Sequence, residues 1–196
     1  MKLDNAERAN VLVEALPYLQ RYAGRTIVVK YGGNAMTDAN LQRAVMRDAV
    51  LLSLVGVRVV LVHGGGPQIS EMIARTGLET KFSGGLRVTD KETMRLVKMV
   101  LAGEVNKDLV GMIASCGGRA VGICGADGGL FRARKLSEEL GFVGKITHVD
   151  PSAVNLLLDG GYIPIVASVG ADEAGNAYNI NADTAASALA GALRAE

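Results

Sequence analysis

Two glycine clusters each follow an apolar run that is rich in β-branched residues. Gly32 and Gly33 follow residues 26–30, and Gly64-Gly65-Gly66 follows residues 57–63. Glycine lets backbone N–H groups approach an anion closely, and a helix that begins at Pro67 would add its positive end. Tight turns explain a single cluster of this kind, but two clusters after two strands favour a phosphate-binding site.

Lys30 is the last residue of the first apolar run and lies next to the first glycine turn. A lysine in that position would neutralise phosphoryl oxygens as a point charge. The alternative is a lysine at a strand end whose ammonium group extends into solvent.

Arg87 lies between the turn at Gly84-Gly85 and the start of a helix. The guanidinium group binds carboxylates through two parallel hydrogen bonds, so Arg87 is a candidate for carboxylate recognition, with a surface arginine as the alternative. The helix start is indicated by a capping-box pattern from Thr89 to Glu92.

Three polar residues, Asn179, Asn181 and Asp183, precede the last predicted helix. They are candidates for ligand binding. The alternative is plain helix capping, which Asp183 could provide alone.

Other catalytic signatures are missing from the sequence. It contains neither a P-loop nor the glycine-rich and catalytic loops of protein kinases. His63 could act as a base, but its place directly before the triple glycine favours packing and turn support. Histidines, cysteines and carboxylates do not occur at metal-site spacing, so no protein-held metal is expected.

The elements that must position these residues alternate along the chain. Four apolar runs predict buried strands: residues 26–30, 57–63, 120–124 and 163–167. Helical patterns flank them: residues 6–22, 38–55, from Pro67 onward, 89–114, 150–160 and 184–194. Pro17 should bend or interrupt the first helix. Residues 80–88 should be extended with a turn at Gly84-Gly85, and residues 131–149 should form hairpins. The pattern predicts an α/β three-layer sandwich with a mostly parallel sheet and ligands at the carboxyl ends of its strands.

Composition excludes several classes of protein. The 196 residues are 49% hydrophobic and 21% charged with a net charge of +1, which indicates a globular chain and gives no case for nucleic acid or an anionic membrane. No secretory signal or membrane-spanning run is recognisable. Cys116 and Cys124, without secretory context, suit a reducing cytoplasm.

Five segments together resemble the amino-acid-kinase superfamily, and within it the N-acetylglutamate kinases. The matching segments are residues 30–36 (KYGGNAM), 62–67 (VHGGGP), 85–89 (GLRVT), 160–166 (GGYIPIV) and 179–183 (NINAD). Their order and spacing are far more specific than any one of them, and the likeness covers nearly all of the chain from Arg25 onward.

The resemblance implies ATP-dependent phosphorylation of the side-chain carboxylate of N-acetyl-L-glutamate in arginine biosynthesis. Mg2+ would be held mainly by the phosphates of ATP. Lys30 and Asp183 would be catalytic, and residues Gly32, Gly33, Gly64, Gly65 and Gly66 would bind the moving phosphoryl group. Gly65 and Gly66, with Arg87, Asn179 and Asn181, would also bind the acceptor. A carboxylate needs no general base to attack phosphorus, so the lack of an obvious base is expected.

The resemblance also implies a domain plan. Residues 1–24 would form a helix that joins subunits of a homo-oligomer, a hexamer among the family's forms, and residues 25–196 would form the acetylglutamate-binding lobe. The family continues with a nucleotide lobe that supplies a second lysine, so we expect this chain to lack part of that lobe and to be inactive alone. Two other hypotheses stay open: a kinase of the same superfamily with another acceptor, and a non-catalytic binding or assembly module.

Overall fold

The structure is a computed structural model that describes residues 4–196 and contains one main sheet, a second smaller sheet and a short hairpin. The strands are β1 Thr26–Tyr31, β2 Arg58–His63, β3 Phe82–Ser83, β4 Leu86–Arg87, β5 Ala120–Cys124, β6 Phe131–Lys135, β7 Gly144–Val149, β8 Ile163–Ala167, β9 Val169–Ala171 and β10 Ala177–Asn179. The helices are α1 Asn5–Tyr22, α2 Ala39–Leu54, α3 Gly66–Thr76, α4 Lys91–Lys98, α5 Asn106–Ser115, α6 Ser152–Asp159 and α7 Ala182–Leu193.

The main sheet consists of the four predicted strands in the order β1, β2, β8, β5, all parallel. Side chains alternate between its two faces. Val59 and Leu61 belong to one apolar core, and Val60 and Val62 belong to the other. Helices α2 and α5 pack on the first face and α6 and α7 on the second. The predicted three-layer α/β sandwich is therefore confirmed.

The predicted hairpins also form. Strands β6 and β7 pair antiparallel and join β9 and β10 in the second sheet, while β3 and β4 form the hairpin predicted within residues 80–88. The tip of that hairpin is Gly84-Gly85, where both residues have positive φ values that suit glycine.

The long helix predicted for residues 89–114 is present but begins differently. Helix α4 continues through a π-helical stretch, Met99–Val105, into α5. The capping box from Thr89 is wrong: Asp90 is the N-cap and accepts the N–H of Thr93 at 2.7 Å. Thr89 is instead fully buried, and its hydroxyl donates to the Arg87 carbonyl at 2.8 Å. A buried hydroxyl group needs a hydrogen-bond partner, and the Arg87 carbonyl is that partner.

A bend or an interruption was expected at Pro17, and the interruption does not occur: α1 runs continuously through this residue. The proline removes one backbone hydrogen bond, but on an exposed helix water can satisfy the free carbonyl. None of the α1 residues is buried, and Val11, Leu12, Val13, Leu16 and Tyr18 are all exposed. Residues 1–3 of the predicted 1–24 segment lie outside the described residues. Within residues 4–196, no helix combines the length and apolar character needed to cross a membrane.

Candidate active site

The two glycine loops lie side by side at the carboxyl edge of the main sheet. Strands β1 and β2 are parallel neighbours with Tyr31 opposite His63, so Gly32 and Gly64 leave adjacent strands at the same level. Helix α3 begins at Gly66, one residue before the predicted start, and Gly65 is its N-cap without a side-chain hydrogen bond. The free N–H groups of that helix end are suited to an anion.

A cavity of about 300 Å³ opens at this edge and brings together every residue predicted for the site. Those residues are Lys30, Gly32, Gly33, Gly64, Gly65, Gly66, Arg87, Asn179, Asn181 and Asp183. Leu101, Val143 and Ile180 add apolar wall. A pocket with apolar walls and a few convergent polar groups is typical of a small-molecule site.

Close packing explains the glycine at position 65, and backbone conformation explains the one at position 33. A Cβ atom added at Gly65 would lie 2.7 Å from Leu101 Cδ2 and 3.4 Å from Val105 Cγ2, and Leu101 is itself buried. At Gly32 an added Cβ would lie 3.0 Å from Lys30 Nζ, and Gly33 has a φ of +65°. Without side chains, the backbone of both loops stays open toward the cavity, which suits phosphoryl oxygens.

Lys30 provides the positive charge beside the loops. Its Nζ lies 3.2 Å from Asp183 Oδ1, and 35% of its side-chain surface stays exposed. Asp183 is in the first turn of α7, whose N-terminus also faces the cavity. The ion pair orients the ammonium group next to Gly32 and leaves part of it free for a ligand.

Arg87 is held by its surroundings as a fixed, buried fork. It is 7% exposed. One terminal nitrogen, Nη2, donates to Ser70 Oγ at 2.7 Å and to the Gly66 carbonyl at 3.1 Å, and Nη1 donates to Thr80 Oγ1 at 3.2 Å. The guanidinium carbon lies 4.8 Å from the centre of the Phe82 ring, within cation–π range. These contacts restrict the guanidinium group before any ligand arrives.

No acidic side chain among residues 4–196 forms a salt bridge with Arg87. Burial lowers the pKa of this guanidinium group from its usual value, but arginine stays charged in proteins. A buried cation without a counter-ion is costly, so its place on the cavity wall favours an anionic ligand.

The three polar residues near the start of α7 have different partners. Asn181 is the N-cap: its Oδ1 accepts the N–H groups of Asp183 and Thr184 at 2.9 and 3.0 Å. The alternative that Asp183 caps this helix is therefore wrong, and its carboxylate pairs with Lys30 instead. Asn179 donates through Nδ2 to Thr89 Oγ1 at 3.2 Å.

His63 is completely buried and contacts the second glycine loop through the Gly64 carbonyl. Its Nδ1 lies 2.8 Å from the Gly64 carbonyl, and its Nε2 lies 3.1 Å from Nδ2 of Asn106. Since a carbonyl only accepts, Nδ1 carries the proton and Nε2 accepts. Burial is the main cause that lowers the pKa of His63; the positive charge of Lys107 adds to the effect and the bond to Gly64 opposes it. The predicted packing role is favoured over that of a base.

This burial predicts a pH dependence of stability. The folded imidazole has a lower pKa than the unfolded one, so the unfolded chain binds more protons at mildly acid pH. The stability due to neutral His63 is complete above about pH 6.5 and is lost as the pH falls, by at most about 1.4 kcal/mol per pH unit. Urea unfolding at pH 7.5 and 5.5 measures the loss. His63→Gln should show a smaller loss between these pH values, and an equal one would contradict the assignment.

Sequence patterns missed the residues that hold Arg87. Ser70, Thr80 and Phe82 contact its guanidinium group, and Thr89 contacts its carbonyl. Ser70 lies about one helical turn after Gly66, a spacing that places both on one side of α3. That spacing could have paired Ser70 with Gly66, but it does not indicate that the β3–β4 hairpin packs against this side of α3.

Comparison with known proteins identifies the family of this chain. Residues 25–196 match the model of the Amino acid kinase family. An acetylglutamate kinase from Brachyspira hyodysenteriae is 52% identical over 196 residues, which are 99% of this chain and 68% of that protein. An acetylglutamate kinase from Synechococcus sp. is 56% identical over 97% of this chain and 64% of that protein. The chain thus spans about two thirds of the length of these relatives.

Solved structures show the same fold. An N-acetylglutamate synthase from Neisseria gonorrhoeae, complexed with coenzyme A and N-acetyl-glutamate, superposes with a TM-score of 0.82 at 26% identity, over 96% of this chain and 44% of that one. Giardia carbamate kinase superposes with a TM-score of 0.60 at 18% identity, over 88% of this chain and 70% of that one, and supports the fold alone. On the family match and the identity to its relatives, this chain belongs to the amino acid kinase family.

Proposed function

We propose that the natural protein that carries this chain phosphorylates the side-chain carboxylate of N-acetyl-L-glutamate with ATP, a step of arginine biosynthesis. The observation that carries the proposal is the buried Arg87, which has no acidic partner among residues 4–196 and faces the same cavity as Lys30 and the glycine loops. Its relatives named acetylglutamate kinase support the choice of acceptor.

The acceptor would lie with its α-carboxylate on Arg87. The Arg87 guanidinium group keeps two N–H groups and its charge for the carboxylate while it also binds Gly66, Ser70 and Thr80, a set of contacts that a single ammonium group could not make. Asn179 would bind the amide of the acetylated amine, and Asn181 would contribute its amide group beside it. The apolar side chains Leu101, Val143 and Ile180 offer surface for the methyl and methylene groups.

The side-chain carboxylate would then point toward the glycine loops. Lys30 would bind the transferring phosphoryl group, and Asp183 would orient Lys30. Gly32, Gly33, Gly64, Gly65 and Gly66 would offer backbone N–H groups to the phosphoryl oxygens. Catalysis of this kind is positioning together with neutralisation of charge, which needs no base.

ATP, bound with Mg2+, would supply the phosphoryl group. The glycine backbone, the N-terminus of α3 and the Lys30 ammonium group form a set of donors that fits phosphate. Within residues 4–196, no group of three or more histidine, cysteine or acidic side chains is arranged to hold a metal ion. Mg2+ would be coordinated mainly by phosphate oxygens, as is common for this ion.

A panel of acceptors tests the proposal. The natural protein is supplied with Mg-ATP and with N-acetyl-L-glutamate, L-glutamate, L-aspartate, carbamate or UMP, and acyl phosphate is trapped with hydroxylamine. We expect hydroxamate with N-acetyl-L-glutamate above all. Higher turnover with another acceptor would identify a different kinase of the family, and binding without turnover would identify a non-catalytic module.

We also propose that α1 joins subunits into a homo-oligomer. It buries none of its own residues and exposes several large apolar side chains, including Leu12 and Val13 at 69% and 68%. Deletion of residues 1–22 should lower the particle mass measured by light scattering. The double variant Leu12→Glu with Leu16→Glu, which removes no residues, should lower the particle mass in the same way. An unchanged mass in both proteins would contradict the role.

A further inference from the structure

Thr89 connects the two groups that would bind the acceptor. It is fully buried and lies between them. Its hydroxyl oxygen is 2.8 Å from the Arg87 carbonyl and 3.2 Å from Nδ2 of Asn179. The backbone of Thr89 is fixed as well, since its N–H donates to Leu140 and its carbonyl accepts from Phe142.

These contacts determine which way the Asn179 amide points. The Arg87 carbonyl can only accept, so the hydroxyl proton of Thr89 is committed to it. Thr89 Oγ1 can therefore only accept from Asn179, which requires the NH2 group, not the oxygen, on that side. The hydrogen bonds seen among the described side chains include none to Asn179 Oδ1, and Asn179 lines the cavity.

Resting on the proposed function, we infer that Thr89 is a positioning residue that orients Asn179 so that Oδ1 faces the cavity as an acceptor. The hydroxyl makes the site selective for an acceptor substrate that presents an N–H group next to its α-carboxylate. An ester analogue places an oxygen atom where the amide has its N–H group. This oxygen has no hydrogen to donate, so it cannot form a hydrogen bond with Asn179 Oδ1. A polar group left unpaired in a site weakens binding.

A pair of ligands isolates this effect. N-Acetyl-L-glutamate and (S)-2-acetoxyglutarate have nearly the same shape, but the second replaces N–H with oxygen. Calorimetry on the unaltered chain should show about tenfold tighter binding of the amide. Equal affinity of the unaltered chain for the two ligands would overturn the inference without any variant. Failure to bind either ligand would instead overturn the proposed function.

Substitutions at Thr89 then test the hydroxyl itself. Thr89→Val keeps the shape and should reduce the tenfold preference to about twofold or less, because the amide no longer has an acceptor to hold it. Thr89→Ser keeps the hydroxyl and should retain the preference. Thr93→Val is the matched control, since Thr93 is also buried but its side chain bonds Asp90 and neither Arg87 nor Asn179. A merely structural role of Thr89 would weaken both ligands equally in Thr89→Val and leave their ratio unchanged, which would contradict the inference.

Discussion

Replacing Lys30 with methionine should lower kcat of the natural protein with N-acetyl-L-glutamate and Mg-ATP by about 10²- to 10³-fold. Lys30 is the cation beside the glycine loops, where its Nζ lies 3.2 Å from Asp183 Oδ1. Methionine fills similar space without charge, so the loss reports on neutralisation of the phosphoryl oxygens. Because Arg87 and Asn179 remain, the KM for the acceptor should change little.

A lysine elsewhere controls for the removal of a charge. Lys135 forms an ion pair with Glu138 at 2.8 Å and does not line the cavity. Lys135→Met should therefore leave kcat unchanged. If Lys30→Met reduced kcat less than tenfold, or raised only the KM for the acceptor, Lys30 would not act on the transferring group.

Replacing Arg87 with lysine should weaken acceptor binding by about 1–3 kcal/mol, or about 5- to 150-fold in Kd. Lysine keeps the charge but loses the planar fork, and it leaves Ser70, Thr80 and the Gly66 carbonyl without their present donors. The affinity for nucleotide should stay the same, since Arg87 is proposed to bind only the acceptor and not ATP. Calorimetry with each ligand measures both.

Arg119 offers a matched control for this substitution. It also stacks on an aromatic ring, with its guanidinium carbon 4.3 Å from the centre of Tyr162, and it does not line the cavity. Arg119→Lys should therefore leave acceptor affinity unchanged. Equal affinity of the unaltered chain and Arg87→Lys for N-acetyl-L-glutamate would refute the role of Arg87.

The common position of the two glycine loops could be predicted because it depends on the placement of their strands alone. A glycine cluster after each of two parallel strands must lie at their common carboxyl edge, and the register of Tyr31 opposite His63 brings Gly32 and Gly64 together. Lys30 is placed by the same rule. Arg87, Asn179 and Asp183 were candidates from the sequence pattern, the family likeness gave them expected roles, and all three line the same cavity.

What was missed depends on packing between elements far apart in sequence. Ser70 contacts Arg87 only because α3 lies against the β3–β4 hairpin. Thr89 has the pattern of a helix cap, yet it is drawn inward by the Arg87 carbonyl and leaves the cap to Asp90. The local pattern cannot choose between these two uses of the hydroxyl, because the choice depends on the burial of Thr89 against Asn179, which lies 90 residues later in the chain.

The most direct test of the central claim is a calorimetric titration of N-acetyl-L-glutamate into the chain of 196 residues. We expect one site per chain, tighter binding of N-acetyl-L-glutamate than of L-glutamate, and a marked loss of affinity in Arg87→Lys but not in Arg119→Lys. Absence of binding by the folded chain, or binding that is the same in Arg87→Lys, would contradict that claim.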